Sequence, residues 1–355
     1  MEQQTFTEEN LSKTPPLPVT HETRLSSSEI ANLWRTCMLY SMTACVMQYF
    51  QQHVQDRDIK SLVQESLSIA ETGVNIAADF LKKDKRAVPR GFGDQDVDLE
   101  APALFSDVFY LYYISNQVKV GLNVSSMACT MASRPDIRDF YIQCIESTLR
   151  FWGRISDTLL SKGLMIRPPY VATVEKVDFV KKQSFLGGLF GQERSLLAIE
   201  IEQLYFGTIT NEIGRTLLTG FRQTARSSEV RSYMERGLKL ASKYIKLFGD
   251  KLREGDISSP MHWDAYGNVT ESTVPSFSDK LMMFHTVLLN AFGIANYGVS
   301  LSSSMRSDVV TTYAAIIPEV ASYTEDGINI MIDNGWFEEP PRVLDRDKLS
   351  NVNIH

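Results

Sequence analysis

Residues 105–136 read FSDVFYLYYISNQVKVGLNVSSMACTMASRPD, and residues 277–308 read FSDKLMMFHTVLLNAFGIANYGVSLSSSMRSD. The second stretch is the first displaced by 172 positions. Phe105-Ser106-Asp107 returns as Phe277-Ser278-Asp279, and Arg134-Pro135-Asp136 as Arg306-Ser307-Asp308. Further on, Lys162-Gly163 is matched by Asn334-Gly335 and Pro168-Pro169 by Pro340-Pro341. Upstream the offset is 171, pairing Glu29-Ile30, Leu33-Trp34, Phe50 and Asp58-Ile59 with Glu200-Ile201, Leu204-Tyr205, Phe221 and Glu229-Val230. The chain is an internal duplication. Its 355 residues suit two units of about 150 residues better than one core.

Each half spells four helices. The first runs from about Ser26 to Val54, with Ile30, Leu33, Trp34, Cys37, Ser41, Ala44 and Cys45 at three-to-four spacing. Ser26 or Ser27 is placed to cap it, with Glu29 as capping-box partner. A second helix, carrying Ile59, Leu62, Val63, Leu67 and Ala70 on one stripe, extends to about Lys83. The third spans about Ala103 to Ser133, and the fourth opens at Arg134-Pro135-Asp136 and closes at Lys162-Gly163. Helices near 196–227, 229–254, 276–305 and 308–334 are expected in the second half.

The loop lengths decide the topology. Short breaks join helices 1 and 2, and helices 3 and 4, whereas about twenty residues separate helices 2 and 3 in both halves. One long crossover between two helical hairpins is the ferritin-like arrangement. The expected fold is all-α: two tandem ferritin-like four-helix bundles at residues 25–167 and 196–342. A flexible polar arm at 1–24, a Gly/aromatic connector at 168–195 and a polar tail at 343–355 complete the chain.

Composition excludes some partners. A net charge of −7 without a Lys/Arg cluster argues against a nucleic-acid surface. Leu281 to Leu301 is uncharged and long enough to cross a bilayer, but it contains His285, Asn290 and Asn296, and its counterpart carries Lys119, Asn116, Gln117 and Asn123. Both are read as helices buried on most sides, not membrane spans. Gly121 and Gly293 sit at equivalent mid-helix positions, which points to close helix approach. The four cysteines, Cys37, Cys45, Cys129 and Cys144, correspond to small or aliphatic residues and read as small hydrophobes in a reducing cytoplasm. No secretory signal is apparent at the start.

A ferritin-like bundle raises the question of metal. A di-iron site needs Glu-x-x-His from two helices, and the chain has none. The carboxylates that repeat, Glu29/Glu200, Asp58/Glu229, Asp107/Asp279 and Asp136/Asp308, all fall in first helical turns, where capping explains them. Glu65 and Glu146 do not repeat and are the weak candidates for an asymmetric metal site. No cofactor is expected. Asp94-Gln95-Asp96-Val97-Asp98 begins like a calcium loop but has Leu99 and Phe105 where glycine and glutamate are needed, so a solvated acidic crossover is expected. Phe105, Phe109, Tyr110, Tyr112 and Tyr113 read as core aromatics, with a ligand-cavity lining as the alternative. In the connector, Phe185, Leu186, Leu189 and Phe190 either pack between the bundles or form an interaction surface.

The F-S-D opening, the R-P-D break, the K-G-L…R-P-P ending and the F-L-G-G-x-F-G connector together resemble a family of bacillus proteins of unknown function, built from tandem ferritin-like bundles. The resemblance covers roughly residues 20 to 345. It implies the fold, a bacterial cytoplasmic setting and kinship with ferritin-like spore-coat proteins, and it supplies no catalytic residues. Three functions stand open. The first is a non-catalytic structural or interaction protein, sporulation- or stress-associated, whose partner is a protein or a second copy. The second is a binding protein for a small apolar or aromatic ligand within or between the bundles, and the third a di-metal carboxylate redox protein.

Overall fold

A computed structural model describes residues 23–171, 176–177, 179–187, 194–260, 265–343 and 346. The first half comprises α1 (Ser27–His53), α2 (Arg57–Lys83), α3 (Asp107–Met131) and α4 (Pro135–Ser161). The second comprises α5 (Ala198–Thr224), α6 (Ser228–Glu254), a one-turn α7 (Ala265–Asn268) in its crossover, α8 (Asp279–Ser303) and α9 (Ser307–Asp333). Local chemistry sets the ends. Ser26, Asp56, Ser106, Ser227 and Ser278 cap their helices through side-chain oxygens. Gly163 and Gly335 close α4 and α9 at φ +67° and +68°. There Leu164 N–H donates to Leu159 and Trp336 N–H to Met331, the 6→1 bonds of a Schellman ending.

The repeated carboxylates do more than cap their own helices. Glu29, 1 % exposed, caps the start of α1 and also accepts from the backbone N–H of Ser133 (2.8 Å) and Arg134 (2.8 Å) at the start of α4. Glu200 repeats this with Met305 (3.0 Å) and Arg306 (2.8 Å). Asp107 at the head of α3 accepts from Asp56 N–H (2.6 Å) at the head of α2, and Asp279 from Ser227 N–H (2.8 Å) at the head of α6. Helices 1 and 4 of each bundle therefore start at one end, and helices 2 and 3 at the other. That order runs up-down-down-up. It obliges the chain to travel back along a helix of about 40 Å between helices 2 and 3, which is why both crossovers are long.

Each crossover docks on the opposite half. Val97 bridges Phe277 and Phe105 bridges Val269, two isolated antiparallel bridges that exchange under the repeat. Asp98 N–H donates to Ser276 C=O (2.9 Å) as Thr270 N–H does to Leu104 C=O (2.9 Å). Ser278 Oγ donates to Asp96 (2.7 Å) as Ser106 Oγ does to Asn268 (2.9 Å). Asp96 is 3 % exposed and also accepts from Gly93 N–H. The expected solvated acidic crossover is corrected at one residue: Asp94 and Asp98 are exposed, but Asp96, at the end of a 3-10 turn over Asp94–Asp96, is a buried acceptor at the seam with the other half.

The two bundles share a central core. Phe50, Phe105, Phe109 and Tyr110 of the first half and Phe221, Phe277, Leu281 and Met282 of the second belong to one buried apolar cluster. Smaller clusters lie around Leu33, Ala77 and Tyr141 in the first half and Leu204, Phe248 and Tyr313 in the second. Tyr49 packs edge-on to Phe277 at 5.0 Å, while its counterpart Gly220 leaves room for Phe105. No described helix is long and apolar enough to cross a membrane. Cys37 and Cys45 are buried, Cys129 and Cys144 half-buried, and all four are free thiols. Burial pushes the Cys37 thiol up to about 11 and Cys45 to about 12.

Candidate functional site

The middles of α3 and α8 are almost free of charge, yet they are not fully packed. Over residues 116–122 and 287–294 nearly every side chain is half-buried, whichever way it points. A helix with a packed side and a solvent side would alternate instead. These segments line a cavity of about 190 Å³ that draws on all eight long helices.

One contact locates this cavity within the duplication. Tyr113 Oη lies 3.0 Å from His285 Nε2, and the two residues are repeat equivalents 172 positions apart. Equivalent residues can meet only at the axis relating the halves. Gln117 Nε2 donates to Tyr113 Oη at 2.7 Å. The other imidazole nitrogen of His285, Nδ1, has no hydrogen-bond partner among the described residues. Burial pushes His285 down to about 3, so the ring is neutral. It also pushes the Tyr113 hydroxyl well above its usual range.

The cavity is symmetric in position. Met42 and Ile213, Ser66 and Gly237, Ile69 and Leu240, Gly121 and Gly293, and Phe151 and Tyr323 line it as matched pairs. Its chemistry is not symmetric. Asn116 and Gln117 on α3 are replaced by Leu288 and Leu289 on α8, and the counterpart of Lys119 is Ala291. Lys119 Nζ lies 5.7 Å from the Trp152 ring centroid and 5.1 Å from that of Phe206, one ring from each half. Burial lowers its pKa. Among the lining residues there is no carboxylate.

The paired mid-helix glycines belong to this cavity, which corrects the expectation of close helix approach. A Cβ on Gly121 would come no nearer than 3.9 Å to Thr148, and one on Gly293 no nearer than 3.9 Å to Tyr297, both ordinary contacts. Close approach occurs elsewhere: a Cβ on Gly220 would lie 2.5 Å from Phe105 and one on Gly207 2.9 Å from Phe248. Repetition at one register marked the glycines as meaningful but could not say whether they admit a helix or leave a space.

The other candidates are dispersed. Glu65 pairs with Arg154 across α2 and α4, whereas Glu146 lies on the surface of α4, 3.9 Å from Arg150. No group of three or more His, Cys, Asp or Glu among the described residues is placed to hold a metal ion. His53 packs on the Tyr49 ring at 4.5 Å; His21, His262 and His355 lie outside the described residues. Phe185 is half-buried under the Arg194 guanidinium at 4.5 Å, and Leu186 is exposed. Leu189 and Phe190 lie outside the described residues. Of the aromatic set on α3, Phe105, Phe109 and Tyr110 stack in the central core and Tyr113 reaches the cavity. Lys119 and His285 are the site residues that sequence reasoning passed over. A lone lysine in the otherwise uncharged middle of a helix, at a position where the repeat has alanine, was the available signal.

Comparison with known proteins places the chain. The family described as "Protein of unknown function (DUF3231)" matches residues 17–177 and again 184–349, and the chain belongs to it. Among solved structures, the chain is similar to a "putative spore coat protein" from Bacillus halodurans C-125. The two are 20 % identical with a TM-score of 0.39, over 42 % of this chain and 98 % of that one. No curated protein matches.

Proposed function

We propose that this two-unit member of a family of unknown function is a non-catalytic binding protein for a small, largely apolar molecule held between its halves. The observation that carries this reading is the cavity on the axis of the duplication, lined by matched positions from both bundles. The chain keeps it open at a cost. Gly121 and Gly293 each sacrifice about 1 kcal/mol of helix stability relative to alanine, with no close packing to offset it. The unpartnered Nδ1 of the buried His285 costs about 1–3 kcal/mol more. A void of about 190 Å³ exceeds the roughly 150 Å³ that admits benzene in an engineered apolar core.

The helix order supports kinship with ferritin-like bundles. A cytoplasmic, spore-associated setting in a bacillus goes with the sequence motifs. The connector favours the interaction-protein reading as a second role, because Tyr170, Val177 and Phe179 stand 88 %, 90 % and 82 % exposed.

Native mass spectrometry of the full chain, purified without detergent, tests the binding reading. The expected result is a one-to-one small-molecule adduct, or a raised Tm when the adduct-free protein is saturated with indole or octanol. Absence of both overturns the reading. About two iron or manganese ions per chain would instead establish the di-metal alternative.

A further inference from the structure

Lys119 is an ammonium built into a cavity that contains no anion. It has no ion pair or hydrogen bond among the described residues, and no carboxylate lines the space around it. Trp152 and Phe206 hold its head from the two halves through their ring faces, which compensates burial only in part. A half-buried cation without a counter-ion is costly to hold, and the chain carries this one only in α3, since the repeat has Ala291 there. Asn116 and Asn123 stand three residues before and four after Lys119, on the same face of the helix and both in the cavity lining. At the positions equivalent to Asn116 and Gln117, α8 presents Leu288 and Leu289. The cavity therefore carries the Lys119 ammonium on the wall from one half, while the other half sets Leu288 and Leu289 beside neutral polar groups such as Asn290 and Asn296.

We infer that the molecule held there is a monoanionic amphiphile, a carboxylate with a short aliphatic or aromatic body, whose head pairs with Lys119 and whose body lies along Leu288 and Leu289. This rests on the binding reading above and adds the ligand's charge to it. Scaling from benzene in a cavity of roughly 150 Å³ gives a body of about eight carbons. The carboxylate supplies the missing counter-ion, and the apolar body displaces water from a mostly apolar void.

The test is titration calorimetry of the full chain with octanoate, octanol and octylamine, three probes that share a body and differ in head charge. Octanoate is expected to bind about tenfold more tightly than octanol, the factor given by one charge-assisted contact. Lys119→Gln should bring octanoate down to the octanol level, and an unchanged far-ultraviolet circular dichroism spectrum confirms that the variant is folded. Lys119→Arg should keep the preference. Equal binding of octanoate and octanol by the unaltered chain, or a preference for octylamine, overturns the assignment of charge yet leaves the cavity reading standing. Failure of all three probes to bind overturns both.

Discussion

Alanine at Gly121 and Gly293 should stabilise the protein. Each glycine lies inside a long helix, where it forfeits about 1 kcal/mol relative to alanine because the unfolded chain gains freedom and the helix gains none. Neither site resists the methyl group, since its nearest neighbours stand at 3.9 Å. The expected gain is about 1 kcal/mol for each single variant. Gly220→Ala is the control of opposite sign: its methyl would fall 2.5 Å from Phe105 Cζ and 3.2 Å from Leu104, so the seam must shift, at a cost of about 1–3 kcal/mol. Urea unfolding followed by far-ultraviolet circular dichroism reads all three variants, as a change in midpoint at constant slope. The same two alanines intrude on the cavity and should weaken indole or octanol binding as they stabilise the fold, which is the trade expected of residues retained for a site. Destabilisation by Gly121→Ala or Gly293→Ala would refute the reasoning, for it would mean that helices close on those positions and that the space is absent.

Two further outcomes follow from the buried polar groups. Burial opposes ionisation of Glu29, but backbone N–H donors led by Arg134 and Ser26 outweigh it and hold the carboxyl near 2; the Arg194 guanidinium leads the same effect at Glu200, also near 2. Both start from 4.5 when unfolded, so the unfolded chain takes up protons first on acidification. Stability is complete above that value and declines through the interval down to about pH 2, by about 3 kcal/mol per group. Glu29→Gln and Glu200→Gln should each flatten the stability–pH curve over that interval; unchanged slopes would remove the carboxylates from the account. In the second case, Tyr113→Phe should cost about 1–3 kcal/mol by leaving His285 without its remaining partner. Combination with His285→Leu should cost less than the two singles added, with a coupling of about 1 kcal/mol in a double-mutant cycle, whereas strict additivity would deny the contact across the axis.

Much of the fold was legible because it is local. Ser26, Ser106 and Ser278 announce helix starts, and Gly163 and Gly335 announce ends. The two crossover lengths required parallel second and third helices before any contact was seen. The double use of Glu29 and Asp107 was not legible, since a first-turn carboxylate looks the same whether it caps one helix or two. Lys119 offered only a weak signal, a lone cation where the repeat has alanine, because a single charge carries no period.

The sequence by itself determined eight long helices, their caps and the up-down-down-up order of each unit, because hydrophobic period, capping chemistry and loop length act over a few residues. It also pointed to asymmetric ligand chemistry, since carboxylates outside the helix caps, such as Glu65 and Glu146, do not repeat. Only the tertiary structure decided that the units are joined through exchanged crossovers and a common core. The partners concerned, Val97 with Phe277, Phe105 with Val269 and Tyr113 with His285, are more than 160 residues apart in the chain. Nothing in the local pattern of either member specifies the other. Tyr113 and His285 meet where the duplication leaves a cavity, with Lys119 from one half and Leu288 and Leu289 from the other in its lining.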